Sequence, residues 1–319
     1  MTSQVLLLLA ALLFAFVNGI NDGGTLLSVG LSVRTIRPLV GLVLLTAAVV
    51  VTPLLLGTGV ATTLATRLVG LDGDAGRVAL LVAVLASILV TMLLARRGLP
   101  TSLTLGLVGA IAGVGVGSGV AVSWGLVGLV LAAGAAAPLL GLAMGRSLTV
   151  FSRRLPVRST LHLRVRRWHV AAFALLCVAY GANDGQKMLA VFAVAAGPVV
   201  GPISPSGWQL AAVAGCFLAG AVVGLPRFAL TLGSGVLPIR PPEAVTAELS
   251  AGTIVLATGL AGTPVSMTQA ASGALVGTGV SRGHGAIRWD AVARIGGAWE
   301  LTLPCTFAVA ALAAFALSR

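Results

Sequence analysis

Charge is scarce in this sequence. Of its 319 residues only 9% are charged, against roughly a quarter in an ordinary soluble domain, while 58% are apolar and the mean hydropathy is +1.07. So few polar side chains could not cover a water-soluble globule of this length, and so apolar a chain is no disordered tail. A soluble enzyme is excluded. Acids are scarcer still, 8 against 20 basic residues, for a formal net charge of +12. In a soluble protein that excess would point to nucleic acid; between apolar blocks it marks topology instead, and no nucleic-acid partner is expected. Lysine is almost missing: 19 of the 20 basic residues are Arg, and the one Lys, Lys187, lies inside an apolar block. The three cysteines, Cys177, Cys216 and Cys305, stand far apart, with neither C-x-x-C spacing nor a neighbouring His to complete a metal set. They are expected to be small buried apolar residues. Walker A, H-E-x-x-H and G-x-S-x-G strings are missing too, so ATP-driven and common hydrolytic chemistries lack their residues. The chain is read as no enzyme and as needing no cofactor.

What is abundant is membrane-length apolar sequence. A helix crossing the hydrocarbon core needs about 20 mostly apolar residues, and the chain divides into about ten such blocks, near 4–33, 38–57, 77–95, 98–117, 122–145, 169–196, 208–226, 244–262, 263–281 and 295–317. The first lacks the basic start of a secretory signal and is read as a retained membrane segment. Between the fifth and sixth lies a polar stretch with Arg146, Arg153, Arg154, Arg158, Arg164, Arg166 and Arg167 and not one acid. By the positive-inside rule it is cytoplasmic. Five crossings on either side then place Arg34, Arg37, Arg96 and Arg97 inside with Arg227, Arg240, Arg282, Arg288 and Arg294, and leave Asp72 and Asp74 outside.

The chain repeats itself. Gly19-Ile20-Asn21-Asp22-Gly23 recurs as Gly181-Ala182-Asn183-Asp184-Gly185, an offset of 162, and Gly98-Leu99-Pro100-Thr101-Ser102-Leu103-Thr104 recurs as Gly262-Thr263-Pro264-Val265-Ser266-Met267-Thr268, an offset of 164. An odd number of crossings per half makes the copies antiparallel, the inverted-repeat plan of secondary transporters. The reading is therefore an all-α, polytopic membrane protein: a repeat over 1–145, a basic cytoplasmic loop over 146–168 and a second repeat over 169–319, with broken helices.

The repeated motifs carry the chemistry. A carboxylate within an apolar block is expensive and normally faces a protein interior or an aqueous cavity. The glycines around Asn21-Asp22 and Asn183-Asp184 would let a helix break there, freeing backbone carbonyls for a cation and amides for an anion. Helices starting near Pro100 and Pro264 would present free N–H groups beside Ser102, Thr104, Ser266 and Thr268. Helix amino termini lined by hydroxyls attract an oxyanion.

These four segments resemble the inorganic phosphate transporters of the Pit type, whose members carry a G-A-N-D-x-x-N signature in each repeat and a G-x-P-x-S-x-T-H segment downstream. Gly181 to Lys187 is similar to the string of the proton-coupled bacterial branch. The resemblance implies import of phosphate, commonly as a metal–phosphate complex, through a site between the repeats. The signature's second Asn is replaced by Thr25 and Lys187, its His by Leu105 and Gln269, and Leu103 and Met267 stand where a hydroxyl is common. These departures bear on the coupling ion and the exact substrate.

The site expected on this reading has Ser102, Thr104, Ser266 and Thr268 holding the anion, Asn21 and Asn183 orienting it, and Asp22 and Asp184 binding a co-transported proton or metal cation. Lys187 follows Asp184 by three positions, on the same helix face. Either this ammonium stands where a sodium ion would otherwise bind, leaving coupling to protons, or the pair is structural. Glu248 is expected near the interface, Glu300 is read as a relay or a helix contact, Arg227 as a snorkelling arginine, and His162 and His169 as facing water or headgroups. Sodium or a divalent metal as coupling ion, sulfate as substrate, a passive anion channel and a homodimer are left open. The expected location is the bacterial inner (plasma) membrane.

Overall fold

A computed structural model describes residues 2–31, 33, 35–70, 73–96, 101–154, 161–197, 203–231 and 239–319. Pro100, Arg34, Arg97, Arg158 and Asp72, which entered the reading above, lie outside them, as do the side chains of His162, Arg164 and Arg227.

Thirteen α-helices follow in order among the described residues: α1 (Thr2–Asn18), α2 (Gly24–Gly30), α3 (Pro38–Leu56), α4 (Gly59–Thr62), α5 (Gly73–Arg96), α6 (Leu103–Gly117), α7 (Trp124–Arg154), α8 (Leu161–Tyr180), α9 (Gln186–Ala196), α10 (Gly207–Thr231), α11 (Pro241–Leu260), α12 (Met267–Val280) and α13 (Trp289–Leu317). Six of the helical stretches, Ser3–Leu27, Pro38–Leu56, Gly73–Arg96, Trp124–Arg154, Gly207–Leu225 and Trp289–Leu317, are long and apolar enough to cross a membrane. Side chains such as Leu39, Leu55, Leu139 and Leu312 point outward, as lipid requires. Cysteine obeys the same logic: Cys177 is buried as expected, whereas Cys216 is half-buried and Cys305 exposed. Outside a spanning helix the surroundings are also apolar, so a cysteine has no reason to hide.

The Asn–Asp segments are not unwound gaps. Each widens into a π turn, Gly19–Gly23 between α1 and α2 and Gly181–Gly185 between α8 and α9, with the Gly24 N–H bonding back to the Gly19 carbonyl. Glycine's weak helix preference makes the widening cheap, and the extra residue turns the Asn and Asp side chains together into the interior. The proline expectation also needs correcting. The helices start at Leu103 and Met267, and Pro264 lies in an extended segment before its helix, not in the first turn. The caps are Ser102 and Ser266, whose hydroxyls accept from the N–H groups of Leu105 (3.2 Å) and Gln269 (3.4 Å). The arginine stretch is likewise not an open loop: 146–154 ends α7 and 161–168 begins α8.

With 15 and 14 residues, α6 and α12 are about 22 Å long at 1.5 Å per residue, short of the ~30 Å hydrocarbon core. Both are almost wholly buried, so their amino ends lie inside the protein. Each packs on the last helix of the opposite half, α6 on α13 and α12 on α7; the two π turns likewise pack on α10 and α3. Glycine permits these crossings. A methyl group at Gly113 would stand 2.3 Å from the Phe307 carbonyl oxygen, one at Gly273 2.1 Å from that of Pro138, one at Gly19 2.1 Å from that of Phe217, and one at Gly181 2.2 Å from that of Ala48. Backbones this close are the small-residue packing of membrane helices.

Gly273→Ala is therefore expected to destabilise the protein by ~1–3 kcal/mol through overpacking, whereas Gly128→Ala, with nothing within 4 Å, is expected to be neutral or slightly stabilising. Thermal unfolding in detergent distinguishes them; equal midpoints would show that α7 and α12 are not tightly apposed.

Candidate functional site

All nine residues expected to form the site are at most 3% exposed: Asn21, Asp22, Ser102, Thr104, Asn183, Asp184, Lys187, Ser266 and Thr268. Such burial of charge demands partners, and the folded chain supplies them with approximate two-fold symmetry. Asn21 Nδ2 donates to the Thr101 carbonyl (3.0 Å) and Asn183 Nδ2 to the Val265 carbonyl (2.6 Å); Thr101 and Val265 occupy equivalent places before their helices. Each Asn also donates to the carboxylate that follows it, at 2.6 Å to Asp22 and 3.0 Å to Asp184. The asparagines thus tie both π turns to the extended segments ahead of α6 and α12.

The symmetry fails at one position. Where the first repeat has Thr25, whose hydroxyl donates to the Asn21 carbonyl (2.6 Å), the second has Lys187. Its ammonium donates to Asp184 Oδ1 (2.6 Å), to the Val265 carbonyl (2.7 Å) and to the Thr104 hydroxyl. Thr104 in turn donates to the Val265 carbonyl at 3.0 Å. The intrahelical spacing from Asp184 foresaw the first contact only. The others cross to α6, in the opposite half, and to a backbone carbonyl.

Asn21 reaches the segment just ahead of α6 and Lys187 reaches Thr104 at its start, so the two turns approach the same end of α6. Ser266 and Thr268 hydrogen-bond each other at 2.8 Å, and Ser102 serves its own helix as cap. These three hydroxyls flank the charged cluster without bonding to it.

Several residues here escaped the sequence reading. Tyr180 donates to Asn18 Oδ1 (3.1 Å) and lies within electrostatic reach of Asp22 and Asp184. The 162-residue offset relates Tyr180 to Asn18, so this bond crosses the pseudo-symmetry axis, and extending the repeat comparison one residue upstream would have flagged it. Gln186 caps α4, accepting from Val60 (2.8 Å) and Ala61 (3.2 Å) while donating to the Gly57 carbonyl (2.8 Å). His169, expected to face water, is fully buried beside Glu248, itself buried within the protein. Glu300 is exposed on the outer face of α13 and takes no part in the cluster's hydrogen bonds.

The chain is similar to known proteins in sequence and in fold. A phosphate transporter family model matches residues 18–173 and again 158–310. The probable low-affinity inorganic phosphate transporter of Mycobacterium leprae (strain TN) is 31% identical over 320 residues, covering 97% of this chain and 76% of that protein. Its counterpart of the same description in Bacillus subtilis (strain 168) is 26% identical, covering 98% and 97%. Among solved structures, one titled the sodium-dependent phosphate transporter superposes with a TM-score of 0.81 at 18% identity, over 99% of each chain. That likeness shows the fold: an all-helical, multi-pass membrane protein.

Removing one partner of a buried ion pair leaves the other uncompensated. Lys187→Met is expected to destabilise the protein by about 3–5 kcal/mol, and adding Asp184→Asn should restore part of the loss. A double-mutant cycle of thermal unfolding in detergent measures the coupling; additive losses would mean that the pair does not interact.

Proposed function

This chain belongs to the phosphate transporter family, and from that premise we propose that it imports inorganic phosphate by proton symport through the buried Asn–Asp centre. Charge arithmetic supports coupling to a cation. Asp22, Asp184 and Lys187 carry two negative charges and one positive when ionised, and an arriving phosphate anion adds to the excess. An uncompensated charge at this depth is costly, so the anion binds well only with a proton or metal cation. The acids are the natural acceptors.

One observation carries the choice of proton. The Lys187 ammonium fills a cage of carboxylate, hydroxyl and carbonyl oxygens drawn from both halves, the donor set that hard cations prefer. A fixed cation there leaves no place for a sodium ion. On this reading phosphate takes the hydroxyls of Ser102, Thr104, Ser266 and Thr268 together with the first amides of α6 and α12, a helix-terminus anion site. Asn21 and Asn183 orient it.

Access then alternates by rocking of packed bundles. The packing suggests that these are α5, α6 and α13 against α7, α11 and α12, each drawn from both repeats, and not the sequence halves 1–145 and 169–319. We assign the exposed arginines Arg146, Arg153, Arg154, Arg166 and Arg167, within the connecting region 146–168, to the cytoplasmic side by the positive-inside rule.

In proteoliposomes, an inward proton gradient is expected to drive phosphate accumulation that sodium at constant pH does not raise, with labelled sulfate as the competing substrate. Asp22→Asn is expected to abolish accumulation while folded protein is retained, and Asp184→Asn to abolish it with a loss of stability, since it leaves the buried Lys187 without its carboxylate. Stimulation by sodium would refute the proton assignment, preferential uptake of sulfate the substrate, and wild-type uptake by either folded variant the role of that carboxylate.

A further inference from the structure

A second polar group is sealed in the interior away from the Asn–Asp centre. His169 on α8 and Glu248 on α11 are 0% and 1% exposed, with Nε2 3.4 Å from Oε1. The contact lacks the alignment of a hydrogen bond, so His169 Nε2 and both Glu248 oxygens have no hydrogen-bond partner among the described residues. His169 Nδ1 shares a hydrogen bond with the hydroxyl of Thr35, a half-buried residue in the connection between α2 and α3. Thr35 belongs to the arginine-flanked segment assigned to the cytoplasmic side.

Among the described residues the surroundings are otherwise almost uncharged. From α8, Cys177 lies within electrostatic reach of Glu248. From α11, Glu243 is five residues earlier but is engaged by Arg282 at 3.4 Å and Arg153 at 3.9 Å. α2 brings Leu26 and Gly30, and α12 brings Ala271 and Leu275. Glu248 lines a narrow cavity with Leu26, Leu176, Ala251, Ala271 and Leu275. Leu26 follows Thr25, and Ala271 is three residues beyond Thr268. The cavity thus sets Glu248 against the chain neighbours, in α2 and α12, of residues that border the proposed phosphate site, while none of the site residues lines it.

A bare carboxylate facing a neutral imidazole in an apolar interior is an uncompensated charge, so the sealed pair retains one proton, as acid beside imidazole or as imidazolium beside carboxylate. Water reaching the pair removes that penalty and lets the proton go. We infer that His169 and Glu248 form a proton-carrying pair, which accepts the coupled proton from the Asp22–Asp184 centre when water bridges the two and releases it past Thr35 on the arginine-rich side. The step is a transfer through water: an aspartic acid O–H breaks and a Glu248 O–H forms, leaving the aspartate ionised. The imidazole then takes the proton at Nε2 and gives one up from Nδ1. Neither residue touches phosphate. The inference rests on the proton-symport reading above.

The test uses the full chain in liposomes loaded with a pH-sensitive dye and supplied with labelled phosphate. Glu248→Gln is expected to keep exchanging internal for external phosphate near the wild-type rate, while proton-driven accumulation and proton influx fall about tenfold or more. His169→Gln should shift both in the same direction, and Glu248→Asp should recover part of the influx. Infrared difference spectra between acid and neutral pH should show a carboxylic-acid carbonyl band in the wild type that Glu248→Gln removes. The inference is overturned if folded Glu248→Gln accumulates phosphate with wild-type proton influx, or loses exchange along with accumulation. A wild type that moves phosphate without proton influx would instead refute the symport reading, and the pair's role with it; influx in the wild type equalled by the variant sinks the pair alone.

Discussion

The carbonyl oxygen of Val265 is the point on which the candidate site depends. It receives Asn183 from the π turn, Lys187 from α9 and Thr104 from α6, and it is free to do so because the chain is extended between the Gly262 turn and the Ser266 cap. An ammonium has three donors and no acceptor. In water they are met at no cost; in this interior Asp184, Thr104 and Val265 meet all three. Had α12 begun three residues earlier, a helical Val265 would have spent its carbonyl within the helix, and Lys187 could not have been buried.

That extended backbone exists at membrane depth only because protein surrounds it. Irregular main chain facing lipid would strand its polar groups. Here α7 and α13 lie against α12 and α6 at glycine contacts that admit no side chain, and each comes from the opposite half of the sequence. The polar centre is therefore enclosed by protein without either repeat being able to enclose it alone, and the small-residue contacts hold the two amino ends together.

Much of this was legible in advance. The ten apolar blocks correspond to helices, and the repeat offsets correspond to the observed symmetry, because spacing in sequence is preserved when two copies fold alike. The Asn–Asp, Ser–x–Thr and Lys187 residues do converge on one buried region. What escaped has a common cause: it depends on which distant segment of the chain lies opposite. The lysine's bonds to Thr104 and Val265, the Tyr180–Asn18 bond, and Glu248 beside His169 are all contacts between distant segments. His169 was misjudged because its sequence neighbours Arg166, Arg167 and Trp168 are exposed, while one further residue brings the chain round to the inner face of α8. The π turns escaped because glycine next to Asn–Asp is compatible with either an unwound or a widened helix.

The two halves share a fold but not a charge distribution. Lys187, His169 and Glu248 all belong to the second repeat; their counterparts by offset are Thr25, Leu7 and the apolar stretch of α5 around Val84 and Ala86. A strictly symmetric pair of inverted repeats would have inward-open and outward-open states of equal energy. Placing the lysine and the additional acid–imidazole pair in one half breaks that equality, because the alternating cycle proposed above would expose different sets of these groups to water. In that proposed cycle the gradients would set the direction of net movement and the charge asymmetry which conformation waits for substrate, since a conformational equilibrium shifts only as far as the difference in interaction energy between its states.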